Sequence, residues 1–175
     1  MKPKRAGIAL GSNLGNRLQN LRNARERIRR IIGFHLPLFQ SAIYETAAVN
    51  CEPGAGDFYN ATIEIGFEGL AESLFRALQQ IEEALGRMPE SRTRSGNRLS
   101  ISRPIDLDLL YFGEERIDLP QLQLPHPRMI MRRFVLQPLA DINPDLQLPD
   151  HPATVRELLA GLPPDNSVKR VIERW

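Results

Sequence analysis

Two aspartates one residue apart, Asp106 and Asp108, lie in the stretch Arg103-Pro104-Ile105-Asp106-Leu107-Asp108-Leu109-Leu110. Apolar and acidic residues alternate there with a period of two, the pattern of a strand with one greasy face. Ile105, Leu107 and Leu109 then point into a core, and both carboxylates project from the other side. Residues two apart on a strand are separated by roughly 6.6–6.8 Å, so the two groups can converge on the same cations. Left unpaired, such neighbours repel, and one tends to take up a proton. Mg²⁺ removes the conflict, because it prefers one or two carboxylates completed by water and phosphate oxygens. A merely solvated strand face would carry the same Asp-x-Asp pattern, so the surroundings decide.

Those surroundings are basic. Between residues 87 and 103 there are five arginines, at 87, 92, 94, 98 and 103, against one acid, Glu90. Beyond the acidic strand, His126 sits between Pro125 and Pro127 on an extended loop, followed by Arg128, Arg132 and Arg133. Phosphoryl transfer asks a protein mainly for positioning and for neutralisation of charge. Two carboxylates holding Mg²⁺, ringed by arginines and a histidine, supply both. No obvious general base stands out among them, so metal coordination, or Asp106 itself, is expected to assist the nucleophile.

The elements that must position these residues read as follows. Residues 6–10 form a buried strand, and Gly11-Ser12-Asn13-Leu14-Gly15-Asn16 a turn into a helix capped near Asn16. Leu14, Leu18, Leu21, Ile28 and Ile32 recur at helical spacing until Gly33. The turn lacks the Gly-Lys-Ser/Thr of a Walker loop and the Gly-x-Gly-x-x-Gly fingerprint, so a tight connection explains it as well as ligand contact does. Strands are expected over residues 36–46 and 58–67, with a loop at 47–57 between them. A second helix carries Leu70, Leu74, Ala77, Leu78, Ile81 and Leu85 as its buried stripe and stops at Gly86. Residues 88–102 have no periodicity; such loops are commonly lids or binding loops, and this one is expected to be mobile and to close over a nucleotide. After the acidic strand come a short hairpin around Ile117, a helix over 132–140, a last short helix over 154–160 and a charged tail. Strand–helix–strand–strand–helix–strand is the ferredoxin-like βαββαβ order. The fold class is therefore α+β, an antiparallel sheet with both long helices on one face, the Asp pair on the other, and a C-terminal helical extension.

Composition agrees with a single domain over residues 1–175. A chain of this length buries roughly 70% of its unfolded surface, and 42% hydrophobic with 25% charged residues is ordinary for a globular protein. No apolar run approaches the length of a membrane span and no secretory h-region opens the chain. Cys51 is the one cysteine, which forbids an internal disulfide and fits a reducing cytoplasm. Net charge is only +2, yet all but three of the 23 basic residues are arginines. Arg17, Arg22, Arg25, Arg27, Arg29 and Arg30 mark the outer face of the first helix. That stripe supports an alternative, an RNA-binding ferredoxin-like module, although the Lys/Arg-Gly-Phe-type motif of such modules is absent.

Five stretches occur in a fixed order: Ala9-Leu10-Gly11-Ser12-Asn13-Leu14-Gly15-Asn16, Gly86-Arg87, Arg103 to Leu110, Leu124-Pro125-His126-Pro127-Arg128 and Arg132-Arg133-Phe134-Val135-Leu136. Together they closely resemble the 6-hydroxymethyl-7,8-dihydropterin pyrophosphokinase family of folate biosynthesis, over residues 6–150. The resemblance implies a ferredoxin-like fold and transfer of the β,γ-pyrophosphoryl group of ATP to the pterin hydroxymethyl, leaving AMP. It implies that Asp106 and Asp108 hold two Mg²⁺ ions and that Arg87 and Arg103 are phosphate-binding lid arginines. His126 and Arg132 would contact the ATP phosphates, with Gln79, Glu82 and Leu109 beside the nucleotide. Phe58 and Phe134 would sandwich the pterin, Asn60 would hydrogen-bond its edge, and Thr46, Ala47 and Ala48 would border it. The family's usual proline after this threonine is replaced by Ala47. The implied partners are ATP and the pterin, with no nucleic acid or membrane, and the implied state is a cytoplasmic monomer.

Overall fold

The computed structural model describes residues 2–48, 52–87, 102–149 and 151–175. The loop expected over 88–102 lies outside the described residues except for Ser102, so Arg92, Arg94 and Arg98 do too.

The chain begins with β1 (Lys4–Ser12) and α1 (Arg17–Ile32), then β2 (Leu38–Gln40), β3 (Ile43–Thr46) and β4 (Phe58–Phe67). It continues through α2 (Ala71–Ala84), β5 (Asp106–Phe112) and the hairpin of β6 (Ile117–Leu119) and β7 (Leu122–Leu124). After a 3₁₀ turn at Met129–Met131 come α3 (Arg133–Ile142), α4 (Val155–Gly161) and β8 (Lys169–Ile172). The main sheet runs β5-β1-β4-β3-β8, with β2 also paired to β4, and every pairing in it is antiparallel. Strands β5, β1, β4 and β3 reproduce the ferredoxin-like order expected from the sequence.

Alternation in β1 and β5 sends Ala6, Ile8, Leu10, Leu107 and Leu109 to one face, where they meet the apolar stripes of α1 and α2. Those stripes are Leu21, Ala24, Ile28 and Ile32 on α1, and Ala71, Leu74, Leu78 and Ile81 on α2. The Asn16 side chain caps α1 by accepting from Gln19 N–H at 3.1 Å, and Gly33 ends it at a φ of 78° that favours glycine. Leu14 and Leu70, expected in these stripes, are exposed, because each lies outside its helix.

The opposite face is not left wholly to the site. A register shift between Gly7 and Ile8 against β5 brings Leu110 and Tyr111 to that face together, as a β-bulge does. There they pack with Met129, Val135, Leu136, Leu139, Leu148 and Val155. Helices α3 and α4 thus cover one part of the second face and leave the rest open. Inside this layer Tyr111 O–H donates to Glu64 Oε2 at 2.6 Å and Asn143 Nδ2 donates to the same oxygen at 2.8 Å.

Two sequence expectations need correction. The strand expected over 36–46 is interrupted at Ser41, whose backbone and hydroxyl bond Thr62 across the sheet while its carbonyl accepts Trp175 Nε1–H at 2.8 Å. The charged tail contains a strand: β8 pairs with β3, and the chain then buries Trp175 in the core. That strand has no apolar alternation to announce it; pairing with the β3 edge supplies its order.

A methyl group on Gly7 would lie 2.1 Å from Tyr111 Cε1. Gly7→Ala should therefore cost about 1–3 kcal/mol through overpacking, measured by urea unfolding. Adding Tyr111→Phe should not recover it, since the clash is with the ring and not with the hydroxyl.

Candidate functional site

Four strand ends meet at one edge of the open face. Ser12 closes β1, Thr46 closes β3, Phe58 opens β4 and Asp106 opens β5, and the pairings Gly11↔Asp106, Gly11↔Asn60 and Thr46↔Phe58 set them level. Above them lies a cavity of about 410 Å³. Its floor includes Gly11, where a Cβ would stand 3.4 Å from Asn60 Oδ1, 3.8 Å from Asp106 Cβ and 3.8 Å from Phe58 Cδ1. A side chain there would fill the junction between the carboxylates and the aromatic part of the cavity.

Asp106 and Asp108 both face this cavity, as the period-two reading required. Arg87 Nη1 is 2.8 Å from Asp106 Oδ1, Arg103 Nη1 is 3.4 Å from Asp106 Oδ2, and Arg132 Nη1 is 3.7 Å from Asp108 Oδ2. The three arginines come from the end of α2, the entry to β5 and the start of α3, so three separate elements converge on one strand. Loss of hydration, and then the charge of Asp106, hold the Asp108 carboxyl above the usual carboxylate range. Its side chain is still 38% accessible, so the cavity's water and ions reach it. Burial lowers the basicity of His126 more than the Asp108 charge raises it. Its Nδ1 accepts Arg128 N–H at 3.2 Å, which fixes the ring as a neutral donor through Nε2.

Glu82 lies beneath. It is buried, pairs with Arg87 and accepts Leu107 N–H at 2.6 Å. Burial pushes its carboxyl up to about 7, against the opposing pull of Arg87. It therefore bears on the site through Arg87 and the backbone of β5.

Of the residues expected from the sequence, the cavity gathers Thr46, Ala47, Phe58, Asn60, Arg103, Asp106, Asp108, Arg132 and Phe134. Asn60 Nδ2 donates to Thr46 Oγ1 at 2.7 Å, which orients both. Arg87 and His126 join through the carboxylates. Gln79 is exposed and the Leu109 side chain is buried in the α1–α2 core; neither they nor Ala48 line the cavity. Arg133, adjacent to Arg132, turns away and binds carbonyls of α4.

Sequence reasoning missed Asn13, Gly11 and a short C-terminal segment. Asn13 is buried; its Oδ1 accepts Arg103 N–H at 2.8 Å, and its Nδ2 reaches Ser102 Oγ at 3.1 Å and Gly56 O at 3.3 Å. The glycine-rich turn is thus a clasp for Arg103, 90 residues away. Asp165, Ser167 and Val168 also line the cavity. The arginine stripe on α1 is partly absorbed by the fold: Arg17 stacks on Tyr59 at 3.8 Å and pairs with Glu45, and Arg29 bonds Leu36 O. No helix among the described residues is long and apolar enough to cross a membrane.

Fold and cavity define the class: a ferredoxin-like α+β protein with paired carboxylates among arginines. Comparison with known proteins is narrower. Residues 7–144 match the model of the 7,8-dihydro-6-hydroxymethylpterin-pyrophosphokinase (HPPK) family, and the chain belongs to that family. It is 36% identical over 163 residues to a 2-amino-4-hydroxy-6-hydroxymethyldihydropteridine pyrophosphokinase of Pseudomonas aeruginosa, covering 91% of this chain and 93% of that one. A Bacillus subtilis protein of the same name is 42% identical over 137 residues, 78% of this chain and 77% of its own. Among solved structures, wild-type Plasmodium falciparum HPPK-DHPS with pteroate matches with a TM-score of 0.67 at 16% identity. It aligns with 91% of this chain, which spans 42% of that longer one, and the likeness is one of fold.

Glu82 supplies a test. A carboxyl whose pKa rises on folding makes the folded protein the tighter proton binder, so stability falls as pH climbs from about 4.5 through about 7. The fall should approach about 3 kcal/mol. Glu82→Gln should abolish that slope while keeping an acceptor for Leu107 N–H. Glu82→Ala should leave this N–H unpaired and cost about 1–3 kcal/mol. Urea unfolding between these limits checks both, and equal slopes in wild type and Glu82→Gln would contradict the assignment.

Proposed function

We propose that this chain transfers the β,γ-pyrophosphoryl group of ATP to the hydroxymethyl oxygen of 6-hydroxymethyl-7,8-dihydropterin in folate biosynthesis. The products are AMP and the pterin diphosphate, and the reading includes a cytoplasmic monomer. One observation carries it: a single cavity is lined both by the Asp106–Asp108 pair with Arg103 and Arg132 and by Phe58, Phe134, Asn60 and Thr46. A long anionic chain suits the first group of residues and a flat, hydrogen-bonding heterocycle the second.

The donor set suits Mg²⁺. It offers two hard carboxylate oxygen groups whose mutual repulsion a cation relieves. Among the described residues no group of three or more histidine, cysteine, aspartate or glutamate side chains gathers to make a closed cage. Asp106 and Asp108 would hold two such ions, which supply neutralisation of the phosphate charge and orientation of its oxygens.

The protein's own residues do the rest. Arg87, Arg103 and Arg132 bring guanidinium forks to the triphosphate, and His126 presents a neutral N–H to it. Phe58 and Phe134 offer ring faces to the pterin, while Asn60 and Thr46 bond its polar edge. The pterin hydroxyl oxygen bonds to the β-phosphorus as the bond from that phosphorus to the α,β-bridging oxygen breaks. Electrons leave with AMP, and the hydroxyl proton passes to Asp106 or to solvent. The family relatives bear the name of this reaction, which supports the assignment.

Protein incubated with ATP, Mg²⁺ and the pterin should release AMP and pterin diphosphate in equal amounts by chromatography; ADP in place of AMP would overturn it. Asp106→Asn and Asp108→Asn should each lower kcat by about 10²–10³-fold with the fold retained in circular dichroism. Phe58→Ala and Phe134→Ala should weaken pterin binding much more than ATP binding by calorimetry, each stacking contact being worth about 1 kcal/mol beyond area burial. Equal loss of both ligands would indicate general disruption instead.

A further inference from the structure

The family model ends at residue 144, yet Asp165, Ser167 and Val168 line the same cavity as Thr46, Ala47 and Phe134. Three devices hold this segment in place. Arg133 Nη2 donates to Leu159 O at 3.2 Å and Leu162 O at 2.8 Å, and its Nε donates to Pro163 O at 3.2 Å. It satisfies carbonyls at the C-terminal end of α4, and it is the residue between Arg132 and Phe134 of the site. Next, Asp165 Oδ1 accepts Ser167 N–H at 2.8 Å, which fixes the turn. Finally, β8 pairs with β3 through Tyr44↔Arg170 and Glu45↔Lys169, so the next residue outward, Val168, comes level with Thr46.

The facing of Val168 follows from the strand period. It lies two residues before Arg170 and shares its side of the chain. Arg170 donates to Tyr44 Oη at 3.2 Å and to Asp141 Oδ1 of α3 at 2.7 Å. Val168 therefore turns toward the α3 face, which is the face of the cavity. Four strand spacings separate β8 from β5, roughly 19 Å. A side chain at β8 meets the end of the cavity away from the carboxylates, beside Thr46 and Asn60.

We propose that residues 165–168 form the outer wall of the heterocycle site and that Val168 is a specificity-determining residue within it, setting how large a ring edge the site accepts. This rests on the pterin reading given above. A branched apolar side chain at that position packs against a ring edge, excludes water from it and leaves no room for an added substituent. The phosphate end, served by Asp106, Asp108 and the arginines, is out of its reach. Substitutions at Val168 accordingly act on the heterocycle alone.

The experiment uses the full chain with Val168→Ala and Val168→Phe, and measures calorimetric affinities for ATP with Mg²⁺, for 6-hydroxymethyl-7,8-dihydropterin, and for pterins carrying one added methyl at different ring positions. One methylene in an apolar pocket is worth about 10–200-fold in discrimination. Val168→Phe should thus weaken the pterin by at least about tenfold and leave ATP unchanged. Val168→Ala should bind the unsubstituted pterin nearly as before and shift at least one methylated pterin by about tenfold in its favour. A shift in ATP affinity with none for the pterin would overturn the proposal, as would unaltered preferences in both variants. Should Val168→Phe not fold, Val168→Ala alone decides through the methylated series. Wild-type protein that binds ATP but no pterin would instead overturn the functional reading itself.

Discussion

Two like charges on one side of β5 constrain the rest of the molecule. Asp106 and Asp108 repel each other in a partly desolvated cavity, and a strand cannot turn one of them away without reversing its whole pattern. Countercharge must therefore arrive from elsewhere in the chain. Arg87 comes from the end of α2, Arg103 from the segment leading into β5 and Arg132 from the start of α3. Each of these is itself held: Arg87 by Glu82, Arg103 by the Asn13 clasp, and Arg132 by the attachment of α3 to the sheet.

That attachment is polar at the far end of the helix and apolar along its body. Asn143 and Tyr111 share the buried Glu64 carboxylate, while Asp141 gathers Tyr44 O–H and Arg170. Val135, Leu136 and Leu139 fill the layer between. Buried polar groups of this kind cost most when one partner is removed, so they hold α3 in one position rather than a range. Its first turn then presents Arg132 and Phe134 to the cavity and Arg133 to α4. Arg132 and Phe134 flank the cavity together, and the residue between them ties α3 to α4.

The alternation Ile105-Asp106-Leu107-Asp108-Leu109 was legible because a strand's period is a local property, and it holds until the bulge turns Leu110 and Tyr111 to the same face. The helical stripes of α1 and α2 were legible for the same reason. What escaped was set by contacts distant in sequence. Nothing in residues 169–172 marks a strand, because β8 takes its order from the β3 edge and from the burial of Trp175. Asn13 reads as a turn residue until Arg103 is placed beside it. Likewise Arg132 and Arg133 are the same amino acid, and only the direction of the α3 axis separates a guanidinium facing carboxylates from one facing carbonyls. The family resemblance named half of the cavity lining, but not the segment at 165–168, which lies beyond its motifs.

The central physical claim is that Asp106 and Asp108 take a divalent cation together with the phosphates of a nucleotide. Paramagnetic broadening of backbone amide signals tests it most directly, with Mn²⁺ in place of Mg²⁺ and a non-hydrolysable ATP analogue present. In the wild-type chain the amides of residues 106–109 should broaden selectively, far more with the nucleotide than with Mn²⁺ alone, and in the Asp106→Asn, Asp108→Asn double variant the effect should vanish. Broadening that persists unchanged in the double variant, or that never reaches β5 in the wild type, would contradict the account.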